Sequence, residues 1–208
     1  MKAIYDDIMT MEPKYSTFGE TLYWCYANWQ ALYATAATGE EKMGKRFYMM
    51  RAHFFKKFRE GKQSISDLTR FNRIKFNADV FCFYCYEEMP KNQLTADHVF
   101  PRVKGGVNDM DNIIYVCKSC NSSKGKRDLM EWFLLYREEF PSPFVFGHYL
   151  REIHQYAVEF GLMDKTFKEV TEMQLPFNSR CILLLLNIKV REHYFDRAKS
   201  AHDSEDYE

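Results

Sequence analysis

Two Cys-x-x-Cys pairs, Cys82/Cys85 and Cys117/Cys120, set the strongest limit on how this chain can fold. Each pair makes a short knuckle that presents two sulfurs to one metal ion, and four thiolates match the tetrahedral preference of Zn2+. A four-Cys site is closed, with no position left for a substrate, so its expected role is structural. The knuckles bracket a 31-residue stretch, residues 86–116. Clamping its ends together supplies stability that a short module cannot draw from a core of its own. The competing readings are an iron–sulfur site and cysteines buried by coincidence. Met1–Asp7 carries acids early and no apolar leader segment, so a cytoplasmic protein of bacterial or phage type with reduced thiols is expected. Cys25 and Cys181 lie in apolar surroundings outside the pattern.

Residues 79–127 are unlike the rest of the chain. Turn signals fall at Pro90, Pro101, Gly105-Gly106 and Asn108-Asp109. Two extended segments stand out, Leu94–Val99, which contains Asp97-His98, and Ile113–Val116, which is β-branched and aromatic. A helix is expected to begin near Cys120-Asn121. Asp97 and His98 are strand neighbours, so their side chains leave in different directions.

From Cys82 to about Trp132 the motifs run C-x-x-C, D-H-x-x-P, G-G, D-N and C-x-x-C-N-x-x-K. This stretch resembles the HNH endonucleases. The resemblance implies a ββα-metal fold, in which two strands and a helix converge on one divalent cation. It also implies hydrolysis of phosphodiester bonds, with products carrying 5′-phosphates. Such chemistry needs an activated water and charge neutralisation at phosphorus. A histidine ring can take the proton from water, and His98 fits that general base. Asp97 fits a ligand of the catalytic cation. By resemblance Asn121 is the second ligand, through its amide oxygen, and Asn112 holds the loop and orients the base. The family's last histidine is Asn121 here, which bears on the metals accepted. An oxygen-only site favours Mg2+, with Mn2+ as a substitute. Lys124, near the helix start, is a candidate phosphate contact. Arg102, Lys104, Lys126 and Arg127 are candidates for contacts along the nucleic-acid backbone; the plainer reading is solubilising surface charge. His53, His148, His154, His193 and His202 are read as structural or surface residues.

Net charge is zero, but it is unevenly placed. Residues 42–75 hold eleven Lys/Arg against two acids, and residues 91–127 hold seven against three. A polyanion-binding face would concentrate charge in this way, and so would a solvated helix face. Outside the module the pattern is helical. Helices are expected over 17–37, over 41–60 with Phe47, Met50, Phe54 and Phe58 at spacings of three and four, and over Ile65–Ile74. Another follows Asp128, with Leu129, Trp132, Phe133 and Tyr136 on one face; Pro141 and Pro143 break it, and helices over 144–161 and 178–199 come after. The apolar run Cys181–Leu186 is far shorter than the roughly 20 residues of a membrane span.

The expected class is therefore α+β and mostly helical. A helical region with a basic face spans 1–78, a zinc-stapled ββα-metal module spans 79–136, and a helical region with an acidic tail spans 137–208. Partners expected are DNA rather than RNA, by resemblance only, and a protein partner or a second copy, with no membrane. Two alternatives stand beside the free-standing nuclease. One is a zinc-stapled module that grips nucleic acid without cutting it. The other is an effector subunit of a defence or DNA-processing assembly.

Overall fold

A computed structural model describes residues 1–65, 81–108 and 112–203. The helix expected over Ile65–Ile74 falls, beyond Ile65, outside these residues, as do Asp111 and the last part of the tail.

The N-terminal helices are α1 (Lys2–Thr10), α2 (Phe18–Ala36) and α3 (Lys45–Arg59). Thr17 starts α2 by accepting the Glu20 amide at 3.2 Å, one of the donors every helix start leaves unpaired. α2 is apolar on most of its circumference, so it must be buried on all sides. It becomes the central post. Phe18, Leu22, Cys25, Ala27 and Ala31 are each fully buried. α3 starts four residues later than expected, because Gly44 takes an extended backbone as N-cap. Phe47, Phe55 and Phe58 are its buried face.

After the central module, Asp128 caps a short helix, α5 (Leu129–Glu131), that runs on as a wider π turn over Trp132–Arg137. The π turn closes i→i+5 bonds. The added residue per turn rotates Tyr136 away from Leu129, Trp132 and Phe133, with which it was expected to share a face, and it is 60% exposed. α6 (Pro143–Glu159) and α7 (Phe167–Glu172) follow. The helix expected over 178–199 is two pieces, a 3-10 helix over Ser179–Leu186 and α8 over Ile188–Asp203. Two asparagines explain the division. Asn178 accepts the Arg180 amide and Asn187 accepts the Lys189 amide, each capping the piece that follows.

α3, α6, α7, α8 and the 3-10 helix all pack on α2, while α1 lies on the 3-10 helix and the π turn. The two flanks thus meet in one continuous apolar core, which also takes in Tyr84, Phe100 and Ile114 of the central module. Among the described residues no helix is long and apolar enough to cross a membrane.

Candidate active site

The central module is a two-stranded antiparallel hairpin with one helix on it. β1 is Leu94–His98, β2 is Ile113–Cys117, and α4 is Lys118–Lys124. Asp97 pairs with Ile114 and His98 with Ile113. α4 contacts both strands and starts earlier than expected, because Cys117 is its N-cap and its sulfur accepts the Cys120 amide at 3.3 Å.

The sulfurs of Cys82, Cys85, Cys117 and Cys120 all lie within 4.8 Å of one another. A tetrahedral thiolate site with bonds of about 2.3 Å puts its sulfurs roughly 3.8 Å apart, so this spacing and donor set fit a metal ion. The sulfurs sit close enough to act on one another: the contact between Cys82 and Cys120 pulls the Cys82 thiol below its ordinary value and pushes that of Cys120 up. Arg137 adds a guanidinium donor to the Cys120 sulfur at 3.4 Å, the type of outer contact that orients a metal ligand.

Asn112 is fully buried and fixes the loop after β1. Its amide oxygen accepts the Phe100 N–H at 2.7 Å. Its amide nitrogen donates to the Val107 and Phe100 carbonyls at 2.7 and 3.1 Å. The adjoining Gly-Gly pair has a physical cause. Gly105 has φ +98°, and a Cβ on Gly106 would fall 1.9 Å from the Phe100 carbonyl oxygen, so a side chain there would break open the loop that Asn112 ties.

His98 is half-buried, and its Nε2 lies 2.9 Å from the Asn108 amide oxygen. Asp97 is turned inward and is 7% exposed. One of its oxygens, Oδ2, accepts from the Tyr84 hydroxyl at 2.7 Å and pairs with the Lys124 ammonium at 3.0 Å. Burial and the Asp97 charge push the Tyr84 phenol well above its ordinary value, so it stays a donor. Asn121 uses its amide nitrogen against β1, on Thr95 Oγ1 at 3.0 Å and on the Ala96 carbonyl at 3.3 Å. That anchorage commits the nitrogen and leaves the amide oxygen to face elsewhere. Asp97 and His98 thus close β1, and Asn121 is tied to the same strand two or three residues before His98, at Thr95 and Ala96.

Lys124 is placed otherwise than a phosphate contact requires. Its side chain is fully buried, and the ammonium donates to the His98 carbonyl at 2.7 Å as well as pairing with Asp97. Burial lowers its basicity, against the opposing pull of Asp97. The buried carboxylate needs a counter-charge, and Lys124 supplies it. Of the other basic candidates, Arg102, Lys104 and Lys126 are exposed. Arg127 is bonded to the Ser123 carbonyl at 2.9 Å and lies over the Tyr136 ring at 4.2 Å. On α3 the basic face is partly spent within the protein. Arg51 lies on Trp24 at 4.3 Å, Arg46 pairs with Glu40 and Arg59 with Glu20. Of the remaining histidines, His148 and His154 are buried, and His193 packs against Phe140.

The HNH endonuclease family matches residues 82–129, the span built around this hairpin and helix. The central module is an HNH endonuclease domain, the domain of a class of phosphodiester hydrolases. Among curated proteins, the CRISPR-associated endonuclease Cas9 of Corynebacterium diphtheriae is 32% identical over 74 residues. That alignment takes in 35% of this chain and 7% of the relative, so the chain spans only a small part of that protein's length. No solved structure matches.

Three residues at the site carry no motif signal of their own. Tyr84 sits between two cysteines, and only folding reveals its reach to Asp97. Asn108 resembled a turn former. Asp128 is fully buried and joins the module to the helical body. It caps α5 through the Met130 amide at 2.8 Å and accepts from the Tyr149 hydroxyl at 2.8 Å and the Asn178 amide at 3.0 Å.

Proposed function

We propose that this chain is a metal-dependent endonuclease that hydrolyses phosphodiester bonds in DNA, with a structural Zn2+ among the four cysteines. What supports the reading is Asp97 and His98 side by side at the end of β1, Asn121 tied to the same strand at Thr95 and Ala96, and the loop after β1 tied by Asn112. Asp97, through the oxygen not engaged by Tyr84 and Lys124, and Asn121, through its amide oxygen, would hold the catalytic cation. Two hard oxygen donors suit Mg2+ or Mn2+. Such an ion supplies charge neutralisation at the phosphate and at the departing oxygen.

The protein's own groups do the rest. An amide oxygen only accepts, so the contact with Asn108 keeps the proton on Nε2 of His98 and leaves Nδ1 as the basic nitrogen. Nδ1 takes the proton from the attacking water. Asn112 keeps the loop from drifting, so the imidazole stays aligned. Arg102, Lys104 and Lys126 are exposed where they can meet backbone phosphates.

A plasmid-nicking assay with Mg2+ and Mn2+ titrations tests this. Wild-type protein should convert supercoiled circles in a metal-dependent way. His98→Ala should lose cleavage by a factor of at least about 100, with folding and zinc content intact. Cleavage at the wild-type rate in that variant would remove His98 from its role.

A second reading keeps the chemistry and changes its control: the chain is an effector subunit, silent until a partner activates it. What favours it is the relative in which a similar stretch is a small part of a CRISPR-associated endonuclease. Under that reading the purified chain alone leaves plasmid uncut in either metal, yet binds Mn2+ at Asp97.

A further inference from the structure

The cysteine knuckle and the oxygen site are joined by one side chain. Tyr84 stands between Cys82 and Cys85, so its backbone position is set by two sulfurs of the metal cluster. Its ring is wedged against Trp132 at 5.0 Å and Phe133 at 5.7 Å, both buried. Its exposure is 3%, and its hydroxyl reaches Asp97 Oδ2 at 2.7 Å. The same oxygen is held from another direction by Lys124 at 3.0 Å. Lys124 is in turn tied to the His98 carbonyl.

We infer that Tyr84 is a positioning residue for the catalytic cation: it locks the Asp97 carboxylate so that Oδ2 is retained inside and Oδ1 is presented to the ion. The inference deepens the proposed function and rests on its reading of Asp97 as a cation ligand. A carboxylate free to rotate offers either oxygen and pays ordering entropy each time it binds. Fixing one oxygen with a neutral donor removes that cost without adding a competing charge. The Lys124 contact has a mixed effect, since its ammonium also repels a cation, so the hydroxyl is the cleaner handle. The consequence is a dependence of one metal site on the other. The hydroxyl reaches Asp97 at the right depth only while the knuckle is clamped.

The test measures Mn2+ binding by electron paramagnetic resonance for wild type, Tyr84→Phe and Asp97→Ala, with zinc counted by elemental analysis. Tyr84→Phe retains the ring packing and removes only the donor. It should keep its zinc and bind Mn2+ more weakly by about tenfold or more. Asp97→Ala should lose this binding. Wild-type Mn2+ affinity in Tyr84→Phe, with Asp97→Ala defective, overturns the positioning role and leaves Asp97 as ligand. Wild-type affinity in Asp97→Ala overturns the ligand reading and the inference with it. Should Tyr84→Phe fail to fold, the wild-type protein decides. Its Tyr84 Cζ carbon resonance should move when Mg2+ is added, because the cation withdraws charge from the oxygen that the hydroxyl donates to. An unmoved resonance overturns the inference.

Discussion

The helical body and the HNH module are held together by different physics. In the body, α2 is wrapped by α3, α6, α7, α8 and the 3-10 helix, and cohesion comes from area, through many fully buried apolar side chains. Each contributes about 1.5–3 kcal/mol on burial, and none is decisive. The module is a hairpin of two five-residue strands and a seven-residue helix, too little to fold alone. Its cohesion comes from points: the four sulfurs, the Lys124–Asp97 pair and the Asn112 amide. A body built on area tolerates losses gradually. A module built on points fails when one is removed, and it gains a site whose polar groups are fixed before any ligand arrives.

The largest effect is expected at the cysteines. Chelation, or Cys120→Ser, should remove a stabilisation on the order of 10 kcal/mol or more. Hydrogen exchange should then show β1, β2 and α4 unprotected while α2 and α6 keep their protection. Equal loss in both regions would mean that the two are not distinct. Lys124→Met comes next. It strands a buried carboxylate and a carbonyl, at a cost of about 4 kcal/mol in chemical denaturation. In the body, Leu22→Ala should cost about 3 kcal/mol through the cavity it leaves, with zinc content unchanged. Asn187→Ala should cost about 1 kcal/mol, the value of one helix cap, and should leave Mn2+ binding untouched.

The same division decides what could be read from the sequence. Point contacts governed by a metal leave a spacing in the chain, so Cys82, Cys85, Cys117 and Cys120 were legible, as were the two strands. Gly105-Gly106 was legible as a turn, although its cause, the closeness of the Phe100 carbonyl, was not. Lys124 was misread because a lysine three residues after Asn121 on a short helix resembles surface charge. Its burial depends on a carboxylate 27 positions earlier, and periodicity carries no record of that pairing. Tyr136 was grouped on one face with Leu129, Trp132 and Phe133 because a 3.6-residue period was assumed where the helix widens into a π turn. The division at Asn187 did leave a signal. Asparagine favours helix starts over helix interiors, and the apolar run before it, Cys181–Leu186, concealed it.

If sulfur holds one ion for the fold and oxygen another for the chemistry, the two ions separate by element. Anomalous difference maps from crystals soaked in Mn2+, recorded at the zinc and manganese edges, test it most directly. The expected result is a zinc peak among the four cysteine sulfurs and a separate manganese peak near Asp97 and Asn121. Manganese among the cysteines, or anywhere remote from Asp97 and Asn121, would contradict it.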